Sequence, residues 1–349
     1  MNSLENSHMR ALFIDKICDL RIERHPLTPG HAPDPVVTAN EIVLKVGACG
    51  VCHTELDEIE GRTPPSFFPV IPGHQIVGRI VERGAGVTRL QIGDRVGVGW
   101  IFSACGVCTW CRTDRENLCE QFRATGRDAH GGYAEFIKVR EAFAIPIPAE
   151  LSDSEAAPLL CAGAIGYRSL RLACIQDGQT LGLTGFGASA HLVLKMVRHQ
   201  YPKSDVFVFA RSEQERLFAR ELGAAWSGDT EETPPELLDA IIDTTPVWRP
   251  IVAALKNLKS GGRLVINAIR KEDADKNSLL GLDYPHHLWL EKEIKSVANV
   301  TRQDIRECLA LAARIPIKPE YREYGLEDAN QALLELKEQK IRGAKVLRI

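Results

Sequence analysis

Cys105, Cys108, Cys111 and Cys119 fall within one short stretch, in the order C-x2-C-x2-C-x7-C. Four thiolates so close together can wrap one tetrahedral zinc, at sulfur distances of about 2.3 Å. The competing readings are two disulfides, or buried cysteines clustered by chance. In a reducing compartment this spacing favours metal. A four-sulfur shell has no open position, so it holds a lobe together and does no chemistry. Catalysis has to come from elsewhere in the chain.

Gly185-Phe186-Gly187-Ala188-Ser189-Ala190 fits G-x-G-x-x-[GA] between an apolar run and a helical pattern. In a strand–turn–helix setting such a loop binds a dinucleotide. Gly185 permits the tight turn, Gly187 lets the backbone approach a pyrophosphate, and Ala190 leaves room for packing. A carboxylate ending the next strand would hold the ribose 2′-hydroxyl of NAD. That strand ends instead at Ala210, followed by Arg211 and Ser212. A guanidinium suits a 2′-phosphate, so NADP(H) is favoured, with NAD(H) the alternative.

The elements that position these groups fall into two textures. Up to about residue 150 the pattern is strands and turns. Glu41–Val46 alternates, and Val77–Val81, Arg95–Val98 and Phe136–Val139 are further short strands, separated by glycine-rich turns. From about Asp153 strands alternate with helices. Ser154–Ala173 reads as a helix and Thr180–Thr184 as a strand. A helix over Ser189–His199, a strand over Val206–Ala210 and a helix over Glu213–Leu222 follow. Ala240–Asp243 and Arg263–Ala268 add strands. This alternation predicts an α/β, doubly wound parallel sheet. Glu327–Gln339 reads as a helix and Ala344–Ile349 as a closing strand.

The chain has 349 residues, 44% of them hydrophobic, with 43 basic and 46 acidic side chains and a net charge of -3. That is no footprint for nucleic acid or an anionic membrane. No apolar run approaches the roughly 20 residues of a membrane helix. Met1–Arg10 lacks a signal-peptide core, so the expected location is cytoplasmic; Met9 is a second candidate start, which would make the first eight residues a floppy extension.

A third constellation is dispersed: Cys52-His53-Thr54 after Gly50-Val51, His74 in Pro72-Gly73-His74, and Cys161 in Ala157-Pro158-Leu159-Leu160-Cys161-Ala162-Gly163. Two cysteines and a histidine make a zinc set with an open fourth position, but spacing alone cannot assemble residues so far apart. Together with Gly93-Asp94-Arg95-Val96, the cysteine lobe and the glycine loop, they resemble the zinc-dependent alcohol dehydrogenases of the medium-chain dehydrogenase/reductase superfamily. The resemblance covers almost the whole chain.

It implies a GroES-like, β-rich catalytic domain over 1–155, with 299–349 returning to it, and a Rossmann domain over 156–298. It implies two zinc ions per chain, the catalytic one on Cys52, His74 and Cys161. Thr54 would take the alcohol proton. His53 and Arg342 would lie near the cofactor pyrophosphate, and Trp100 would line the substrate pocket. A small alcohol or aldehyde would be the substrate, zinc its Lewis acid, and relatives of this length are often homo-oligomers, tetramers or dimers. Carbonyl or enoyl reduction on the same fold is the runner-up, though the complete ligand set argues against the zinc-free enoyl type. A catalytically silent nucleotide-binding or redox-sensing protein is the reading from another class.

Two positions depart from the family. Gln75 stands where a Glu usually follows the ligand His, which removes a negative charge behind the metal and predicts altered water exchange. Asp57 stands where many relatives have the histidine that ends a proton relay; it is either that acceptor or a solvated loop residue. Cys49 is read as packing, and Cys18, Cys174 and Cys308 as buried thiols. His286-His287 is assigned no metal.

Overall fold

The structure is a computed structural model that describes residues 8–338 and 342–349. Two compact units are present: Met1–Cys161 with Thr301–Ile349, and Ala162–Val300.

The first unit is built on a seven-stranded sheet. Its order is Tyr321–Gly325, Ala344–Arg348, Glu41–Val51, Ile76–Arg83, Arg95–Val98 and Ala144–Pro146, with Phe136–Arg140 pairing the first half of Glu41–Val51. The predicted strand over Glu41–Val46 is therefore longer, eleven residues ending at Val51. Its buried Ile42, Leu44 and Val46 pack in one core with Ile76, Ile80, Val96 and Ile137. This strand delivers Cys52. Cys49 pairs with Ile76 on one side and Leu347 on the other, which ties the C-terminal strand to the same register. Ahead of His74, Gly73 sits at φ +96, where a Cβ would come within 2.4 Å of Tyr133. Only glycine fits there, so the turn that presents His74 is fixed by backbone and packing together.

The second unit is a six-stranded, all-parallel sheet. Its order is Trp226–Gly228, Val206–Phe209, Leu181–Thr184, Leu238–Asp243, Leu258–Ile266 and Glu293–Ser296. In sequence terms this is 3-2-1-4-5-6, the doubly wound order, with its switch point between Leu181–Thr184 and Leu238–Asp243. The central strands Leu181–Thr184 and Val206–Phe209 are buried at every position. That is why they read as unbroken apolar runs.

Several expectations are corrected. The helix predicted over Ser154–Ala173 is three segments: α over Asp153–Pro158, one π-helical stretch over Leu159–Gly163, and α over Ala164–Ala173. Pro158 lacks an N–H for the regular ladder, and the register changes after it. Cys308 is buried as expected, but Cys18 is half-buried and Cys174 exposed. The helix predicted over Glu327–Gln339 is Ala329–Lys337 after a 3-10 turn, and Gln339 lies outside the described residues. Residues 1–7 also lie outside them, while His8 is already strand, paired with Pro33. Among the described residues no helix is long and apolar enough to cross a membrane.

Candidate metal centres and nucleotide loop

The four cysteines of the lobe come together, their sulfurs all within 4.8 Å of one another. Cys105 and Cys111 stand 3.8 Å apart. Two sulfurs bound to one tetrahedral zinc would be about 3.8 Å apart given bonds of about 2.3 Å. Cys105 Sγ accepts the Cys108 N–H at 3.3 Å. Backbone N–H groups of Val107 and Cys108 lower the Cys105 pKa to about 6, whereas burial raises that of Cys111 to about 12. Cys105 is thus drawn towards its thiolate, while burial keeps Cys111 a thiol unless a cation offsets it. The lobe is anchored by Glu116, buried between Cys111 and Cys119. Glu116 Oε1 accepts from both the backbone N–H and Nε of Arg302, at 2.8 and 2.9 Å.

Cys52, His74 and Cys161 also converge, with all donor atoms within 4.8 Å. His74 Nε2 is 3.6 Å from Cys52 Sγ and 3.3 Å from Cys161 Sγ. These are edge lengths of a small tetrahedron, so the donor set fits zinc with one corner open. Each ligand comes from a different local device. Cys52 directly follows the long strand and caps the helix His53–Ile59, its sulfur accepting the Thr54 N–H at 3.4 Å. His74 follows the Gly73 turn. Cys161 sits in the π-helical stretch, a distortion that often marks functional positions. The Cys52 thiol is held well above its ordinary pKa, first by its hydrogen bond with Cys161 and then by burial. Two thiolates this close would repel without a cation between them.

Sequence reasoning missed the carboxylate behind this centre. Glu55 is fully buried; Oε2 accepts the Cys52 N–H at 2.8 Å, and Oε1 lies 2.7 Å from His74 Nδ1, though off the line of a good hydrogen bond. Burial opposes a charged imidazole, but Glu55 and Cys52 outweigh it and hold His74 well above the usual histidine range. A signal was available: Cys52-x-x-Glu55 has the spacing of a capping box, and the structure forms one. Gln75, where the family carries Glu, is buried with Nε2 unpartnered and packs against Gly50. The charge lost at Gln75 is therefore not the only one near the metal ligands, because Glu55 supplies another.

Asp57 is not a solvated loop residue. It lies inside the helix His53–Ile59, buried, 2.6 Å from Arg62 Nε. Thr54 precedes it by three residues on the same helix, and His53 is exposed at the helix start. Trp100 is buried, its ring tilted on Phe122 at 5.1 Å and capped by the Arg127 guanidinium at 5.3 Å. His286 and His287 engage Asp283 and join no metal-ligand cluster among the described residues.

In the second unit Gly185 has φ +77 and a Cβ there would meet Thr244 at 2.9 Å, so the turn requires glycine. A Cβ on Gly187 would meet nothing within 4 Å. Gly187 leads into the helix Ala188–Gln200, whose first turn has no side-chain cap and no acidic residue. Unclaimed N–H groups at a helix start fit a pyrophosphate. Ala190 is fully buried. Arg211 and Ser212 are exposed at the end of the neighbouring strand; Ser212 is the N-cap of Glu213–Glu221 but makes no side-chain cap hydrogen bond. Arg342 is exposed just before the closing strand.

Residues 38–149 match the family described as the alcohol dehydrogenase GroES-like domain. A probable alcohol dehydrogenase AdhA of Mycobacterium tuberculosis is 43% identical over 320 residues, 90% of each chain. An alcohol dehydrogenase of Geobacillus stearothermophilus is 32% identical over 327 residues, 90% of this chain and 93% of its own. Among solved structures, CAD from Helicobacter pylori complexed with NADP(H) superposes with a TM-score of 0.85 at 23% identity, over 98% of both chains. A cobalt- and zinc-bound thermostable alcohol dehydrogenase from Pyrobaculum aerophilum gives 0.82 at 24% identity, over 98% of this chain and all of its own.

Proposed function

The chain belongs to the zinc-dependent alcohol dehydrogenases of the medium-chain dehydrogenase/reductase superfamily, and we propose that Cys52, His74 and Cys161 hold its catalytic zinc while Thr54 takes the alcohol proton. As an NAD(P)-dependent oxidoreductase acting on CH–OH, it interconverts an alcohol and its carbonyl compound. The observation that carries the site assignment is the meeting of His74 Nε2 with two thiols at 3.6 and 3.3 Å, from three distant segments.

Bound zinc would supply Lewis-acid polarisation of the substrate oxygen, and a bound nicotinamide would supply the hydride chemistry. The chain's own residues do the rest. The Glu55 carboxylate, 2.7 Å from His74 Nδ1, favours the proton on that nitrogen, which leaves Nε2 as the ligand atom. The Thr54 hydroxyl both accepts and donates, so it passes the proton on. Asp57 lies at i+3 from Thr54 on the same helix face and is the proposed next acceptor, steadied by Arg62. Cys105, Cys108, Cys111 and Cys119 are assigned a second, structural zinc.

NADP(H) is the favoured cofactor, supported by Arg211 and Ser212 where an NAD enzyme would carry a carboxylate. Gly185, Gly187 and Ala190 are assigned to the pyrophosphate cradle of the second unit, and His53 and Arg342 are assigned to cofactor binding by family likeness alone. Trp100 is assigned to the substrate pocket. A homo-oligomer is proposed, dimer or tetramer. The strand Glu293–Ser296 at the sheet edge, exposed along with Trp289 and Leu290, supports a second copy pairing there. The proposed location is cytoplasmic.

The test is a panel of alcohols and aldehydes assayed in parallel with NADP(H) and NAD(H). Turnover of at least one pair, faster with NADP(H), is expected. Preference for NAD(H) would overturn the cofactor assignment. Turnover that survives loss of Cys52 would overturn the site.

A further inference from the structure

Beyond Glu55, His74 and Gln75, three more side chains near the proposed catalytic zinc carry polar atoms that have no hydrogen-bond partner and are shielded from solvent. Glu58 is fully buried with both carboxyl oxygens unpartnered, and Thr63 Oγ1 and Trp100 Nε1 are likewise unpartnered. A buried polar atom without a partner is costly, so such atoms are normally satisfied by water or ligand. Three of them in one region call for a common explanation.

Their placement ties them together. Glu58 is on the helix His53–Ile59, one turn beyond Glu55. Thr63 folds back onto that helix, its N–H donating to the Asp57 carbonyl at 3.1 Å. Three residues on, the Ser66 N–H donates to the Arg127 carbonyl at 3.1 Å. The Arg127 guanidinium covers the Trp100 ring at 5.3 Å, and its charge acts on Glu58. The same turn lies against the metal-ligand segments. A Cβ on Gly126 would stand 2.9 Å from the Gly73 nitrogen, next to His74. One on Gly99, beside Trp100, would stand 3.3 Å from the Leu160 carbonyl, next to Cys161.

We propose that Glu58, Thr63 and Trp100 form a polar subsite for a second hydroxyl of the substrate, so that the enzyme acts on diols or polyols in preference to simple apolar alcohols. The chemistry of the three groups selects a hydroxyl. Trp100 offers only a donor, so its ligand must accept; an ammonium cannot. A carboxyl oxygen of Glu58 accepts, and Glu55 and Asp57 nearby disfavour an anionic ligand. Burial pushes the Glu58 carboxyl well above the usual range, with Glu55 adding to the effect, which also suits a neutral partner. The hydroxyl both donates and accepts, and Thr63 matches either role.

This inference rests on the alcohol dehydrogenase reading of the Cys52–His74–Cys161 centre. The test compares 1-butanol with 1,2-butanediol and 1,4-butanediol in the zinc-loaded wild-type enzyme and in Thr63→Val, Trp100→Phe and Glu58→Gln. At least one diol should exceed 1-butanol in kcat/KM by about tenfold or more, since a site built for a hydroxyl discriminates against a substrate lacking one. Each variant should lower that ratio several-fold. Thr63→Val alters a loop residue and Glu58→Gln keeps the side-chain shape, so loss of folding does not mimic the result. If 1-butanol matches or exceeds both diols, or all three variants leave the ratio unchanged, the subsite is overturned while the dehydrogenase stands. If no alcohol or aldehyde is turned over with either cofactor, both readings fall.

Discussion

Replacing Glu55 should uncouple the two metal centres. Glu55 meets two buried groups at once, accepting the Cys52 N–H at 2.8 Å and standing 2.7 Å from His74 Nδ1. Glu55→Ala strips the buried Cys52 N–H of its acceptor and removes the carboxylate that faces His74 Nδ1; with water entering the space, a net loss of about 1–3 kcal/mol is expected. Glu55→Gln separates charge from shape. A glutamine has one acceptor oxygen, so it serves either Cys52 N–H or His74 Nδ1–H. If its amide nitrogen faces Nδ1, the imidazole proton moves to Nε2, the atom that meets both thiols. Either choice weakens the centre, by the 10–100-fold in metal affinity, about 1.4–2.8 kcal/mol, typical of groups that orient a ligand histidine. The assay is zinc content after graded chelator competition, with the four-cysteine site as internal reference. Both variants should fall from two zinc ions to about one at chelator levels that leave the wild type intact. If both variants keep two ions with wild-type resistance, Glu55 does not position His74 and the reasoning is wrong.

Three further outcomes are expected. Arg211→Asp should shift kcat/KM from NADP(H) towards NAD(H) by about 10–100-fold, the worth of one charge-assisted contact; an unchanged ratio removes Arg211 from the cofactor site. Asp57→Ala should alter the basic limb of the pH–rate profile, because a carboxylate that accepts the relay proton is lost. An unchanged basic limb would show that the proton leaves through water. Glu335 Oε2 accepts from fully buried Lys345 Nζ and from the Tyr324 hydroxyl, each at 2.6 Å, and Oε1 accepts from Gln331 Nε2 at 2.8 Å; these contacts, Lys345 first, hold the Glu335 carboxyl down at about 2. A carboxyl depressed below its unfolded value of about 4.3 adds stability that is present above that pH and lost as pH falls towards 2. Melting temperature across that window should therefore drop more steeply in the wild type than in Glu335→Gln, and parallel curves would contradict it.

Elements with a single strong pattern were legible in the sequence. The parallel strands Leu181–Thr184 and Val206–Phe209 read correctly because burial on both faces makes them apolar throughout. The strand Glu293–Ser296 went unread because all four of its residues are exposed and its pairing is set by the sheet, not by its own pattern. The helix Arg302–Arg314 was also missed, although Thr301 and Asp304 form a capping box. At the site, the four-cysteine lobe is local and needed only spacing. The Cys52–His74–Cys161 centre joins three segments through tertiary folding, and only likeness to a family brought it into view. Glu55 and Glu58 escaped notice because helix-surface glutamates are ordinary in sequence; it is burial that makes them informative.

The most direct test compares Cys52→Ser with Cys111→Ser in one experiment that reads zinc content, alcohol oxidation and thermal melting. Cys52→Ser should lose one zinc and at least about 99% of turnover, the loss expected when a ligand that generates the Lewis acid is removed, while melting close to the wild type. Cys111→Ser should lose the other zinc and melt well below it, as structural zinc contributes to folding. The opposite pattern, with Cys52→Ser active and Cys111→Ser inactive but stable, would contradict the assignment of the open and closed sites.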